Sequence, residues 1–287
     1  MILTAHWNDI GKPSTLVPFL WKRFRRIYPL YWVFFLLTVF SHLAGAGSDS
    51  TYQRDPWVLL SGFTLLHLFS VDSNMVVAWS LFDEVMFYIC FSIVLLNKRM
   101  GVVILALWMA ASLFFIFPSN SYWSVLFSAN HLLFGLGMLL AWRLRKDDRL
   151  ADKPVFWPVF WLGAVIFLVC IVLVGPLSQR EMPIRLAAGT GAACAFFGAA
   201  IAEQRGVSKI PNWLVFLGDA SYSIYLAHFM VISAVARACF RRWGTSPIPA
   251  VFWMIFLSVC GTAVGILIHL FVERPLLSRL GKRVQRA

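Results

Sequence analysis

The chain has 287 residues, of which 60% are hydrophobic and only 13% are charged, and its mean hydropathy is +0.76. A soluble protein of this length cannot bury so much apolar surface, whereas lipid accepts helices that are apolar on every side. The formal net charge is +12, but the basic residues stand in short clusters beside apolar runs, so the positive-inside rule explains them and no nucleic-acid partner is indicated. The composition predicts an integral membrane protein.

Apolar runs long enough to cross a bilayer recur along the chain. In order, they predict eight spanning helices, at residues 27–46, 77–96, 101–117, 122–142, 156–175, 184–202, 213–240 and 249–272. A ninth run, residues 57–71, is too short for a full span and carries His67, so we predict a re-entrant or cavity-lining segment. We expect an all-α, polytopic transmembrane helix bundle that forms a single domain over residues 1–287.

The charge distribution predicts the orientation of this bundle. With eight spans, five basic clusters fall on one side, which the positive-inside rule assigns to the cytoplasm together with the C-terminus. The clusters are Lys22/Arg23/Arg25/Arg26, Lys98/Arg99, Arg143/Arg145/Lys146/Arg149, Arg205/Lys209 and Arg274/Arg279/Lys282/Arg283/Arg286. Arg241 and Arg242 form a discordant pair on the outer side. The opening Met1-Ile2-Leu3-Thr4-Ala5 resembles the tail of a hydrophobic element, so we expect an N-terminally incomplete chain.

Arg23 and Arg26 stand where the chain enters the first predicted span. Because they are three residues apart, they would share one helical face. Guanidinium groups present a fixed fork of donors to phosphate oxygens, so the pair would suit a phosphate-rich ligand. The alternative is a topogenic cluster of the kind that flanks many cytoplasmic helix ends, and spacing alone favours that interpretation.

The second span contains two adjacent carboxylates, Asp83 and Glu84, inside an otherwise apolar run. Ionisable side chains within the bilayer are costly and usually mark a functional site. Ser80, Glu84 and Tyr88 recur at every fourth residue and would line one helical face. A carboxyl group there could take up or release a proton during catalysis. The alternative is a carboxylate that pairs with an intramembrane base only to hold helices together.

Two later segments also combine polar residues with apolar surroundings. Ser221, Tyr225 and His228 would fall on one side of the seventh span, where His228 could exchange a proton or could be a hydrogen-bonded packing residue. Near the end, His269 precedes Glu273-Arg274-Pro275, which we interpret as the termination and anchoring of the last helix.

Other sequence features indicate packing rather than chemistry. The five cysteines lie in apolar stretches without a Cys-x-x-Cys pair, and no His-Glu-x-x-His motif is present, so no metal site is expected. The small residues at 189–193 and 198–200 are predicted to allow close helix packing rather than to form a ligand loop.

Three ordered segments of the chain resemble the membrane-bound acyltransferase 3 family, whose bacterial members transfer acyl groups to cell-surface carbohydrates and other acceptors. The family's Arg-x-x-Arg stretch with Ile-x-Pro-x-Tyr matches Arg23, Arg26, Ile27, Pro29 and Tyr31. Its Trp-Ser-Leu-x-x-Glu with Phe-Tyr matches Trp79, Ser80, Leu81, Glu84, Phe87 and Tyr88. Its late Gly-x-x-Ser-Tyr-Ser-x-Tyr-Leu-x-His matches Gly218, Ser221, Tyr222, Ser223, Tyr225, Leu226 and His228.

This resemblance implies a cytoplasmic acyl-CoA donor, with acetyl-CoA expected, at a bacterial inner membrane, and a carbohydrate or related hydroxyl acceptor. Arg23 and Arg26 would hold the donor's phosphates, while Glu84, supported by Ser80 and Tyr88, would orient a catalytic histidine or activate the acceptor hydroxyl. The family places its catalytic histidine on a first helix that we expect to be missing here. His6 does not match that position, and His228 is the histidine we assign to the site.

Two other classes of function remain open from sequence. A transporter or flippase for a sugar or lipid-linked intermediate would also be a polytopic bundle with intramembrane acids. Such folds usually contain two related broken helices, and the run at 57–71 has no second counterpart. The other alternative is a catalytically incomplete fragment.

Overall fold

The computed structural model describes residues 7–44, 55–66, 75–114, 123, 126–128, 130–146, 156–173, 182–204, 206–207, 210–243 and 250–284. Every regular element within these ranges is helical, as the sequence predicts. The chain divides into two compact units. Unit 1 comprises Met1–Leu16 and Asp83–Ile210, and unit 2 comprises Val17–Phe82 and Pro211–Ala287.

Ten α-helices lie in the described part of the chain. They are α1 (Leu16–Leu43), α2 (Pro56–Thr64), α3 (Trp79–Leu96), α4 (Lys98–Phe114), α5 (Asn130–Lys146), α6 (Phe156–Leu168), α7 (Met182–Gln204), α8 (Asn212–Trp243), α9 (Ala250–Ile268) and α10 (Arg274–Val284). Short 3₁₀ turns occur at Trp7–Asp9, Pro13–Thr15 and Val76–Ala78. Two π-helical turns, Val169–Leu173 and His269–Glu273, follow α6 and α9.

Five helical stretches of the described residues are long and apolar enough to cross a membrane, judged by length and composition. They are Pro13–Leu43, Val76–Leu96, Met182–Gln204, Asn212–Arg242 and Ala250–Leu280. The predicted spans at 101–117, 122–142 and 156–175 correspond to the shorter helices α4, α5 and α6. The all-helical membrane fold is therefore confirmed, while eight full spans remain a prediction.

Several helix boundaries differ from the predicted spans. The first span was placed at 27–46, but α1 begins at Leu16, so Arg23 and Arg26 lie inside the helix. The fourth span was placed at 122–142, but α5 begins at Asn130, whose backbone N–H donates to Ser128 Oγ at 3.2 Å. This side-chain acceptor satisfies an amide that an α-helix leaves unpaired at its start. At the other end of the chain, α8 continues through Arg241 and Arg242. Cations in the last turn of a helix interact favourably with the helix dipole, so Arg241 and Arg242 stabilise the end of α8.

The predicted termination at Glu273-Arg274-Pro275 is wrong. The chain passes through the π turn at His269–Glu273 and stays helical to Val284 in α10. Pro275 is the second residue of α10. A proline lacks an N–H donor and is tolerated in a first turn, and a π turn changes the hydrogen-bond register just before it. The Glu-Arg-Pro segment thus joins two helices instead of ending one.

In unit 1, neighbouring helices are held by apolar contacts and by glycines. Val94 of α3 packs with Leu105 and Trp108 of α4 in one buried cluster. Gly101 lies so close to α3 that an added Cβ would be 2.3 Å from the Val94 Cα. The first turn of α4 therefore requires glycine at this point.

Helices α6 and α7 of unit 1 approach each other backbone to backbone. A Cβ on Gly163 would lie 2.5 Å from the carbonyl oxygen of Gly191, and one on Gly198 would lie 2.6 Å from that of Phe156. Gly189 instead faces Leu133 of α5, where a Cβ would come within 2.5 Å. The prediction that these small residues serve close helix packing is confirmed.

In unit 2, α1 supplies donors to the end of the short helix α2. The Tyr31 hydroxyl donates to the Gly62 carbonyl at 2.7 Å, the Tyr28 hydroxyl to the Thr64 carbonyl at 2.8 Å, and the Trp32 indole to the Phe63 carbonyl at 3.0 Å. The last carbonyls of a helix have no partner within the helix. Three aromatic side chains therefore cap α2, which is nine residues long and ends at Thr64.

Also in unit 2, α8 and α9 meet across a Gly-x-x-x-Gly pattern formed by Gly261 and Gly265. A Cβ on Gly265 would lie 2.5 Å from the Ile224 Cα, whereas one on Gly261 would lie 3.5 Å from the His228 Cα. Small residues at this spacing let membrane helices approach closely. The segment of α8 that carries Tyr225 and His228 is therefore seated directly on α9.

Candidate active site

The Glu84 side chain is hydrogen-bonded along its own helix. Tyr88, one turn further along α3, donates its hydroxyl to Glu84 Oε1. Tyr88 is buried and Glu84 is half-buried. Within the described residues, Glu84 Oε2 has no hydrogen-bond partner. The predicted Glu84–Tyr88 face is thus confirmed, and it leaves one carboxylate oxygen available to a ligand.

Asp83 has a different environment from the adjacent Glu84. Its side chain is 6% exposed, and its Oδ2 accepts a hydrogen bond from Asn130 Nδ2 at 2.8 Å. Asn130 is the first residue of α5. Asp83 therefore links α3 to α5 inside unit 1. This is a helix-holding role, but its partner is an amide and not the intramembrane base that the sequence alternative named.

Ser80 makes its contact with α8 in unit 2. Ser80 Oγ lies 2.6 Å from the Tyr225 hydroxyl oxygen, and the Tyr225 hydroxyl is also bonded to the Val77 carbonyl. A carbonyl can only accept, so the single phenolic hydrogen points to Val77. Ser80 must then donate to Tyr225. The structure brings Ser80 and Tyr225 together although 145 residues separate them.

The ring of His228 is oriented by the backbone of α8. Its Nδ1 lies 2.6 Å from the Tyr225 carbonyl oxygen. Because this oxygen can only accept, Nδ1 must carry the hydrogen, and Nε2 of the neutral ring is the basic nitrogen. In the described part of the chain, Nε2 has no hydrogen-bond partner. His228 is half-buried and holds the tautomer that a general base needs.

Three hydroxyl groups of α8 bond to three different elements of unit 2. Tyr222 donates to the Ile27 carbonyl of α1 at 2.7 Å, Ser223 donates to Glu273 at the same distance, and Tyr225 donates to Val77. Ser221 lies one helical turn before Tyr225, on the side that the sequence predicted, and is exposed. The Ser-Tyr-Ser-Ile-Tyr segment therefore forms several interhelical hydrogen bonds. It contains Tyr225 and directly precedes the turn that contains His228.

The two arginines of α1 differ in their surroundings. Arg23 is half-buried, with its guanidinium carbon 5.3 Å from the centre of the Phe19 ring, which itself is fully buried. Arg26 is exposed. A guanidinium stacked on an aromatic ring has a restricted orientation, while an exposed one can rearrange. The pair thus offers one oriented and one adaptable group.

Sequence reasoning missed the contacts of several buried polar residues. His131 is fully buried, and its ring centre lies 4.2 Å from that of Trp108. His269 and Glu273 are bonded to each other at 2.6 Å, and Ser223 joins them. The spacing of four residues between His269 and Glu273 was a signal for this pair, whereas nothing local pointed to Ser223 or His131.

Among the described residues, the other residues singled out from the sequence add no further contact to the site. His6 and His67 lie outside the described residues. All five cysteines are free thiols. Within the described ranges, no group of three His, Cys, Asp or Glu residues could hold a metal ion.

Comparison with known proteins assigns the sequence to a family. The sequence profile of acyltransferase 3, described as an acyltransferase domain, matches residues 1–269. The chain is also similar to the exopolysaccharide production protein ExoZ of Rhizobium meliloti (strain 1021), with 29% identity over 92% of this chain and 82% of the relative. No solved structure matches the chain. With a match that covers most of the sequence and an all-helical membrane fold, this chain belongs to the acyltransferase 3 family.

Proposed function

We propose that this protein transfers an acyl group, expected to be acetyl, from acyl-CoA to a hydroxyl of an exopolysaccharide or another cell-envelope carbohydrate. It would act in the bacterial inner membrane, with the basic clusters and the C-terminus in the cytoplasm. Family membership supports the reaction class, and the name of the similar ExoZ supports a polysaccharide acceptor. The observation that carries the site is Glu84 in the predicted second span, held by Tyr88, with no partner for Oε2 among the described residues.

The reaction requires a base and a leaving group. The acceptor hydroxyl oxygen attacks the thioester carbonyl carbon and loses its proton to the base. The carbon–sulfur bond then breaks, and CoA leaves as a thiolate that takes up the proton held by the base, which regenerates the base. Glu84 Oε2 is the proposed proton acceptor, and the Tyr88 hydroxyl fixes the carboxylate by bonding Oε1. General acid–base groups of this type contribute about 10²–10⁴-fold in rate.

In unit 2, His228 is a separate candidate for the general base, because its tautomer is fixed and its Nε2 has no partner among the described residues. The Ser80–Tyr225–Val77 chain supports it by holding the turn of α8 that contains the Tyr225 carbonyl. An asparagine at this position could still donate an amide N–H to that carbonyl but would lack Nε2. His228→Asn therefore removes the basic nitrogen while keeping the hydrogen bond that orients the side chain.

Arg23 and Arg26 are the proposed binding groups for the donor's phosphates. Arg23 supplies an oriented guanidinium on Phe19, and Arg26 supplies an exposed one. A hydrogen bond to a charged group contributes about 1.5–3 kcal/mol. We expect Arg23→Ala or Arg26→Ala to raise the KM for acetyl-CoA about tenfold or more, with little effect on the KM for the acceptor.

The test uses membranes that contain the full chain, labelled acetyl-CoA and a cell-envelope polysaccharide fraction. We expect label in the polysaccharide, and a loss of about 10²–10⁴-fold in Glu84→Gln. Glu203→Gln is the matched control, because Glu203 is an exposed carboxylate near the end of α7. Western blotting and detergent extraction check that each variant is inserted.

Two results would contradict the proposal. Full transfer by an inserted Glu84→Gln variant would remove Glu84 from the chemistry. Absence of label with the unmodified chain, together with movement of a lipid-linked saccharide across the membrane, would instead support the flippase alternative.

A further inference from the structure

A buried polar cluster of unit 2 surrounds the π turn after α9. Glu273 and His269 are each 4% exposed, and Ser223 is fully buried. Glu273 Oε2 accepts from Ser223 Oγ at 2.7 Å and from His269 Nδ1 at 2.6 Å. Arg274 Nε donates to His269 Nε2 at 3.1 Å. Since Nε2 is an acceptor here, the His269 ring is neutral and its Nδ1 is the donor.

This cluster does more than anchor a helix end. A buried carboxylate is strongly unfavourable unless hydrogen-bond donors surround it. One of the two donors to Glu273 comes from its own helical segment, but the other, Ser223, belongs to α8. Glu273 therefore ties α8 to the end of α9 at a point where the backbone register changes.

The tie lies on the side of α8 opposite to Tyr225. Two residues along an α-helix correspond to a rotation of about 200°, so Ser223 and Tyr225 point in nearly opposite directions. Glu273 holds one side of the helix, and Ser80 and Val77 hold the other. The rotation of α8 is thus fixed from both sides.

Small rotations of α8 matter because of what it carries. With side chains, a helix has a radius of about 5–6 Å, so a rotation of about 10° moves a side-chain tip by roughly 1 Å. A displacement of that size can lower a reaction rate about 100-fold. His228 lies five residues after Ser223 on the same helix.

We propose that Glu273 is a positioning residue, which acts through Ser223 to fix the rotation of α8 that presents Tyr225 and His228. The effect of Glu273 on the reaction rate rests on the proposed acyl transfer. Its effect on the position of α8 does not. The role depends on an oxygen that accepts two hydrogen bonds. A glutamine can supply such an oxygen, and a leucine cannot.

Four variants test this role. Glu273→Leu removes the acceptor, Ser223→Ala removes the donor from α8, and Glu273→Gln retains an acceptor. Ser258→Ala is the matched control, since it deletes an exposed serine hydroxyl from α9. If Glu273→Leu does not fold, Ser223→Ala carries the same test with a smaller change.

The structural measurement is the rate at which a maleimide labels His228→Cys, in a chain whose five native cysteines are replaced by alanine. We expect this rate to change at least threefold in Glu273→Leu and Ser223→Ala, and to stay unchanged in Glu273→Gln and Ser258→Ala. Equal rates in all four variants would overturn the proposal, whatever reaction the protein catalyses.

The kinetic measurement uses the chain with His228 intact. We expect kcat to fall at least tenfold in Ser223→Ala and Glu273→Leu, with the KM for acetyl-CoA within twofold and recovery in Glu273→Gln. An unchanged kcat per folded molecule would reduce Glu273 to a stabilising role and overturn the positioning role. Absence of transfer by the unmodified chain would contradict the proposed function alone, because the labelling rates still decide the position of α8.

Discussion

Replacing Gly265 by alanine tests the closest approach between α8 and α9. The new Cβ would lie 2.5 Å from the Ile224 Cα, 2.7 Å from its Cγ1 and 3.0 Å from its Cβ. Favourable carbon–carbon contacts occur at about 3.5–4.0 Å. Two of these neighbours are backbone or Cβ atoms that a rotamer change cannot move, so the helices would have to separate by roughly 1 Å.

The expected cost follows from this overlap. Overpacking of a tight contact destabilises a protein by about 1–3 kcal/mol. Alanine also favours an α-helix over glycine by about 0.8–1.0 kcal/mol, which acts in the opposite direction. Gly261→Ala gains the same helix propensity, but its Cβ would lie 3.5 Å from the nearest His228 atoms, an ordinary contact. The difference between the two variants therefore isolates the overlap at Gly265 and should be about 1–3 kcal/mol.

Thermal unfolding in detergent measures this difference. Each variant, fused to a fluorescent reporter, is heated and analysed by size-exclusion chromatography, and the midpoint temperatures are compared. We expect Gly265→Ala to melt below Gly261→Ala by roughly 2–4 °C for each kcal/mol. Equal midpoints for the two variants would refute a backbone contact between α8 and α9 at Gly265.

Three further substitutions test other contacts by the same thermal assay. Tyr31→Phe removes a buried hydroxyl donor from the last turn of α2 and should destabilise the protein by about 1–3 kcal/mol; no change would argue against this cap. Asn130→Ala takes a donor from the buried Asp83 and should cost about 1–3 kcal/mol, and Asp83→Asn with intact Asn130 should cost less. Trp108→Phe loses the 2.7 Å hydrogen bond from the indole to the Leu126 carbonyl and should lower stability by about 1 kcal/mol. A variant as stable as the wild type would contradict this contribution.

Local periodicity predicted the site features that depend on one helix. The spacing of four residues placed Glu84 and Tyr88 on one face, and their hydrogen bond follows from helical geometry. Apolar length likewise predicted the membrane helices. The same reasoning could not distinguish the roles of Asp83 and Glu84. The role of Asp83 comes from its hydrogen bond with Asn130, which is distant in sequence.

The rest of the site depends on tertiary contacts. Nothing in the segment around Tyr225 indicates that its hydroxyl meets Ser80 or that Ser221 is exposed. Periodicity also could not predict the π turn, since helical spacing assumes a constant hydrogen-bond register. For that reason, a Glu-Arg-Pro segment that looked like a helix end contains Glu273, which binds α8.

The aromatic cap on α2 has a consequence for how the chain assembles in the membrane. Unbonded carbonyls in hydrocarbon cost several kcal/mol each, so a nine-residue helix that re-enters the bilayer, as the sequence predicts for α2, needs donors from the protein. Its donors, Tyr28, Tyr31 and Trp32, belong to the preceding helix and emerge from the ribosome first. With α2 as a re-entrant segment, we expect α1 to insert before α2 and to provide the donors that the end of α2 requires.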